Sequence, residues 1–163
     1  MTEATLVEPQ VIADQILSIP NLEGLTVSGG EPMLQAMALL ELFTSLKQHR
    51  DLSIICFTGF TLAQLQAKCD RNIDAILRTI DVLIDGQYIS GQNDNQGWRG
   101  SSNQVVHFLT SKHLTESRLF LERKRDVEIH FQYDATLLVG IPPQHIQTAF
   151  EQTMINLALQ IRD

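Results

Sequence analysis

The chain has 163 residues, 44% of them hydrophobic, which is the size and apolar content of one domain with a real core. Lys and Arg number 12 against 19 Asp and Glu, so the net charge is −7 and there is no basic footprint for nucleic acid or an anionic membrane surface. Two cysteines, Cys56 and Cys69, cannot build a disulfide scaffold, nor supply the three or four thiolates of an iron–sulfur cluster or structural zinc site.

The first ten residues, MTEATLVEPQ, carry no Lys or Arg and no apolar core of a leader. No apolar run approaches the roughly 20 residues of a membrane span. The expectation is a cytoplasmic protein with reduced thiols. Glu8-Pro9 opens a helix with Val11, Ile12, Gln15, Ile16 and Ile19 at helical spacing, and Pro20-Asn21 stops it. Residues 24–28 (GLTVS) read as a strand entering a Gly29-Gly30 turn. Glu31-Pro32 starts a second helix, with Met33, Met37, Leu40 and Phe43 or Thr44 as its apolar set and Leu34 and Leu39 beside it. That helix should end near His49-Arg50.

Residues 52–57 (LSIICF) are apolar enough for a strand buried on both faces, as in a parallel sheet. Thr58-Gly59-Phe60 is the turn, and Thr61 caps a helix through Leu62 and Leu65. Residues 73–79 read as another short helix, and residues 82–84 as a third buried strand closed by Asp85-Gly86. This is a βαβαβ unit. Residues 90–103 are polar, contain three glycines and show no periodicity, the texture of a functional or disordered loop. Residues 104–109 recover a strand pattern. Residues 127–131 and 136–140, joined through Tyr133-Asp134, form a hairpin. Pro142-Pro143 starts a last amphipathic helix with Ile146, Ala149, Phe150, Met154 and Leu157 on one face and Ile161 extending it.

Ser28, Gly29, Gly30, Glu31 and Pro32 sit at the C-terminal end of a parallel strand, where α/β folds bind ligands. Exposed backbone groups and the Glu31 carboxylate suit a cationic amine; an ordinary βα turn fits the same residues. Asp85 faces the same rim, or bonds local backbone as a turn aspartate. Trp98, Arg99, Ser101, Ser102 and Asn103 combine a stacking surface, a guanidinium and hydrogen-bonding groups, or form a loop pinned by one Trp. No histidine lies in HxxxH spacing or near a cysteine, so no metal ligands are assigned. Cys56 reads as a small buried hydrophobe. Arg118, Arg123, Lys124 and Arg125 make a local basic patch, either a solvated connection or a docking surface for an acidic partner.

Four blocks in order carry a family resemblance: GLTVSGGEPMLQ (24–35), SIICFTGFTLAQL (53–65), IDVLIDGQYI (80–89) and WRGSSNQVVHFL (98–109). From Val11 to Leu109 the chain resembles the radical-SAM activating enzymes, most closely the activating component of anaerobic ribonucleotide reductase, with the pyruvate formate-lyase activating enzyme a more distant relative. The resemblance implies a partial (βα) barrel of the radical-SAM type, a parallel sheet followed by a C-terminal hairpin and helix. Residues 1–109 would be the core and 110–163 an extension of the same domain.

The implied activity is reductive cleavage of S-adenosylmethionine (SAM) at a [4Fe–4S] cluster, generating a glycyl radical on a partner enzyme. The implied partners are a glycyl-radical-type protein substrate and an electron donor. By position, Ser28, Gly29, Gly30 and Glu31 would recognise the SAM amine. Thr58 and Asp85 would lie on the rim beside the nucleoside or partner glycine, and Trp98, Arg99, Ser101, Ser102 and Asn103 would face the partner. The family holds its cluster with a C-x-x-x-C-x-x-C loop before the first helix, and no such motif occurs here. The expectation is an N-terminally truncated activase, inactive alone, whose strand at 25–28 has an unpaired edge. The alternative is a cluster-free relative that binds SAM, another small molecule or a partner.

Overall fold

The computed structural model describes residues 5–125, 127–131, 136–140 and 142–160; for 144 and 157–160 it describes the backbone alone. Two compact units emerge: Met1–Gln87 with Val105–Glu116, and Tyr88–Gln104 with Ser117–Asp163. The strand after residue 104 therefore stays with the core expected over 1–109, whereas the polar stretch before it goes with the C-terminal part.

In the first unit, strands β1 (Gly24–Val27), β2 (Ser53–Phe57) and β3 (Val82–Asp85) pair in parallel in that order, and β4 (Val105–Phe108) adds antiparallel to β3. This is the mixed α/β sheet that alternating element types predict. Burial explains the sequence of the inner strands. Ile54, Ile55 and Cys56 are buried, as are all four residues of β3, so neither strand shows the polar alternation of a half-exposed sheet. β1 is an edge strand among the described residues, as expected. A Cβ on Gly24 would lie 2.5 Å from the Ser53 carbonyl oxygen, so this crossing of β1 and β2 requires glycine.

The helices fall where caps and breakers put them. Helix α1 (Pro9–Ser18) begins with Pro9, whose missing N–H has no helical partner to lose. Its last carbonyls are served by Arg50, which donates to Leu17 O at 2.9 Å and Ile19 O at 2.7 Å. A 3-10 turn (Pro32–Gln35) precedes α2 (Ala36–His49). Helix α3 (Leu62–Ala67) has a complete capping box between Thr61 and Gln64. Helix α4 (Arg71–Thr79) is capped by Asp70, which accepts from Asn72 N at 2.8 Å and Ile73 N at 3.3 Å. Helix α2 packs between α1 and α4, and its buried Phe43 and Leu46 join Leu52, Ile54, Leu65, Ile76 and Leu83 in one apolar core.

The apolar set expected on α2 holds at the buried Met33 and Phe43 and the partly buried Leu39 and Leu40, and needs correction at Leu34 and Met37. Met37 is 73% and Leu34 75% exposed, while Ala36, Leu42, Phe43 and Leu46 are buried. The 3-10 turn advances three residues per turn rather than 3.6, so it changes the phase in which α2 meets the sheet.

At the N-terminal ends of the strands, Asp81 is 3% exposed and accepts from Ile54 N at 2.9 Å and Thr110 Oγ1 at 2.7 Å, with Lys47 Nζ at 3.5 Å. Its own backbone pairs with Ile54 O and Leu109 N. Nearby, His113 lies 2.6 Å from Ser53 Oγ and 3.1 Å from Glu116 Oε2.

In the second unit, residues 88–104 hold a 3-10 turn (Ser90–Gln92) and one bridge from Gln96 to Lys124. Helix α5 (Ser117–Glu122) follows, an element without a sequence-based expectation. Strands β5 (Glu128–Phe131) and β6 (Thr136–Val139) form the expected antiparallel hairpin, and α6 (Gln144–Gln160) the expected last helix. The hairpin connection at Tyr133-Asp134 and the helix extension at Ile161 lie outside the described residues. Of the apolar set expected on one face of α6, Ile146 and Ala149 are exposed and Phe150 and Met154 half-buried, and the side chain of Leu157 lies outside the described residues. No helix among the described residues is long and apolar enough to cross a membrane.

Candidate functional site

The turns after β1, β2 and β3 come together at the C-terminal ends of the parallel strands, the usual ligand edge of such a sheet. Gly29 (φ 78°) and Gly30 (φ 54°) both adopt the left-handed conformation, which is why two glycines stand here. Ser28, Gly29 and Gly30 are exposed, and none of their backbone or side-chain polar groups has a hydrogen-bond partner among the described residues. A Cβ built on either glycine would meet nothing within 4 Å. The turn thus presents three consecutive residues of free amides and carbonyls to open space.

Glu31 is different. Its Oε1 accepts from Met33 N at 3.0 Å and Thr58 Oγ1 at 2.7 Å, and its Oε2 accepts from Gly59 N at 2.8 Å. The carboxylate caps the 3-10 turn and clasps the β1 turn to the β2 turn. Thr58 is 4% exposed; its hydroxyl also accepts from Phe60 N, and its amide donates to Ile84 O. Asp85, also 4% exposed, accepts from Leu62 N at 2.6 Å and Val105 N at 3.3 Å. His107 Nε2 lies 2.9 Å from Asp85 Oδ2, close enough for an ion pair when the ring is protonated but not aligned as a hydrogen bond. The six residues expected to bind SAM are therefore brought to one edge. They divide into an open set (Ser28, Gly29, Gly30), a clasp (Glu31) and two buried supports (Thr58, Asp85). Neither Thr58 nor Asp85 stands on an open rim: both are buried, Thr58 bonded to Glu31 and the Phe60 amide, Asp85 to the amides of Leu62 and Val105.

The residues expected to face a partner belong to the second unit. Trp98 is half-buried and stacks on Phe120, with ring centroids 4.7 Å apart. Its amide donates to Phe120 O, and the amide of Gly97 to Arg123 O. Arg99 pairs with Asp94 at 2.6 Å. Burial opposes ionisation of Asp94, but Arg99 and the Gln96 amide outweigh it and hold the carboxyl below its usual range. Ser101 is 0% exposed: its hydroxyl donates to Asn103 Oδ1 and accepts from Ile89 N, so it cannot face a partner. Ser102 and Asn103 are exposed. The basic run is also partly internal, since Arg125 donates to Gly100 O and Asn93 Oδ1. The signals that would have found these roles were weak. Nothing in SSN marks the first serine as buried, and Asp81 sits between two apolar residues like any turn acid.

Both cysteines and all five histidines lie among the described residues. Cys56 is buried in β2, and burial, aided by the charge of Glu31, pushes its thiol up to about 12. Cys69 is exposed, just beyond α3. No group of three His, Cys, Asp or Glu side chains among the described residues is arranged to hold a metal ion.

Residues 2–107 match the family model described as the 4Fe-4S single cluster domain. Curated relatives named anaerobic ribonucleoside-triphosphate reductase-activating protein are similar to part of the chain. The one from Vibrio cholerae is 42% identical over 107 residues, and the one from Haemophilus influenzae 39% over 106. The one from Escherichia coli K12 is 32% identical over 108 residues. Each match covers 63% of this chain and 66% of the relative, just under two thirds of its length. No solved structure is a significant match. The family model covers well over half of the chain and takes in β1, β2, β3 and the glycine turn between them, so the chain belongs to the 4Fe-4S single cluster domain family.

Proposed function

We propose that this chain carries the SAM-binding side of a radical activating protein, built on a partial (βα) barrel of the radical-SAM type. The family role is reductive cleavage of SAM to generate a glycyl radical on a partner, here an anaerobic ribonucleotide reductase, with electrons from a separate donor. The relatives' names support an activating role. The observation that carries the SAM reading is the free, exposed backbone of Ser28, Gly29 and Gly30 at the end of β1.

An ammonium group needs acceptors, and three adjacent carbonyls on a left-handed turn supply them at close approach. Glu31 Oε2 has one internal donor, Gly59 N, so it keeps acceptor capacity and a negative charge beside the turn. Thr58 and Asp85 act through others: Thr58 fixes Glu31, and Asp85 fixes the start of α3 and β4. SAM supplies the sulfonium whose reductive cleavage starts the radical chemistry. The donors of this chain do not fit an iron–sulfur cluster. In the second unit, Ser102 and Asn103, with the outer face of Trp98 and Arg99, form the partner-facing surface of this reading.

The count of two cysteines favours a second reading, a cluster-free module that binds SAM or docks a partner. Isothermal titration of the purified chain with SAM tests what the two share. The expected result is saturable heat at one SAM per chain and a raised melting temperature. No heat and no thermal shift would contradict the SAM site and leave only docking.

A further inference from the structure

The family is defined by a [4Fe–4S] cluster, and the donor set of this chain disagrees with it. Such a cluster takes four ligands, most often thiolates. The sequence offers Cys56 and Cys69. Cys56 is in the interior of the sheet, with its thiol pushed up to about 12, so the thiolate a cluster needs is disfavoured there. Cys69 is exposed at a left-handed position (φ 51°). Histidine does not make up the number, since no three His, Cys, Asp or Glu side chains among the described residues are arranged to hold a metal ion. His113 is held between Ser53 and Glu116, His49 donates from Nδ1 to Ser45 O, His130 is paired with Glu128, and His107 lies beside Asp85.

The strand ends are instead tied by protein groups. Glu31 takes donors from the 3-10 turn and from Thr58 and Gly59 of the β2 turn, and Asp85 ties β3 to α3 and β4. These ties are made by protein groups alone.

We infer that the 163-residue chain takes up no [4Fe–4S] cluster of its own and folds without one, its strand ends held by the Glu31 carboxylate. The inference rests on the donor set and the family assignment, not on the SAM reading, so a failed SAM titration leaves it standing.

The test is anaerobic incubation of the purified chain with ferrous iron, sulfide and dithiothreitol. Desalting then precedes iron analysis, absorbance and thermal melting with and without a chelator. The expected result is iron far below one per chain, no shoulder near 400 nm and a melting temperature indifferent to iron, sulfide and chelator. About four irons per chain with that shoulder would overturn the inference. So would about two irons per chain, the signature of a cluster shared between two copies, or a melting temperature that falls on chelation. Glu31→Gln separates the second half of the claim. It should melt several degrees lower whether or not iron and sulfide are present; melting at the wild-type temperature would show that the clasp does not hold the strand ends.

Discussion

The two ends of the same parallel sheet both bury a carboxylate, yet only one end leaves anything for a ligand. At the N-terminal ends, Asp81 serves Ile54 N and Thr110 Oγ1 and draws in Lys47, and the surrounding backbone is paired. At the C-terminal ends, Glu31 and Asp85 serve amides in the same way, but Ser28, Gly29 and Gly30 keep their own polar groups free. A carboxylate at the ligand edge of an α/β sheet is thus not a ligand by position alone. Here the acids shape the edge and the glycine backbone faces out of it.

Substitutions at the two ends should rank by burial. Asp81→Ala leaves the Ile54 amide buried without an acceptor and should cost about 2–4 kcal/mol in urea unfolding, the largest loss in the series. Glu31→Ala strips three donors of their acceptor at a half-exposed site and should cost about 1–3 kcal/mol. Thr61→Ala removes half of the α3 capping box and should cost about 1 kcal/mol. If Glu31→Ala proved more damaging than Asp81→Ala, the contrast between the ends would be broken.

A pH experiment sharpens the same contrast at β2. The Cys56 thiol is raised by burial from 9.0 to about 12. Its contribution to stability is fully present below pH 9 and is lost as pH rises toward 12, because the unfolded chain ionises first. Native thiol labelling at pH 8 should therefore modify Cys69 rapidly and Cys56 only after denaturant is added. Equal rates for the two would show that β2 is not closed at its C-terminal end.

Much of the first unit was legible in sequence. LSIICF announces a strand buried on both faces, and SGGEP announces a tight turn that starts a helix, because both depend on local chemistry. The phase of α2 was not legible, since a 3-10 turn of four residues shifts it and Met33, Leu34 and Met37 look alike as a string. The roles of Thr58, Asp85 and Ser101 were not legible either. A hydroxyl or carboxylate beside a glycine reads the same whether it meets a ligand or a backbone amide; only its hydrogen-bond partners, often more than 20 residues away as for Asp85 and Leu62, separate the two cases. The second unit was legible as elements and not as packing, because the apolar residues of α6 have helical spacing without a buried face among those described.

The most direct measurement is amide-resolved NMR of the isotope-labelled chain during titration with SAM. Saturable shifts are expected at Ser28, Gly29 and Gly30, with a smaller response at Gly59 beside Glu31 and none at Ile54 and Thr110 around Asp81. Unmoved resonances at Gly29 and Gly30, or shifts centred on the Asp81 end of the sheet, would contradict the SAM site.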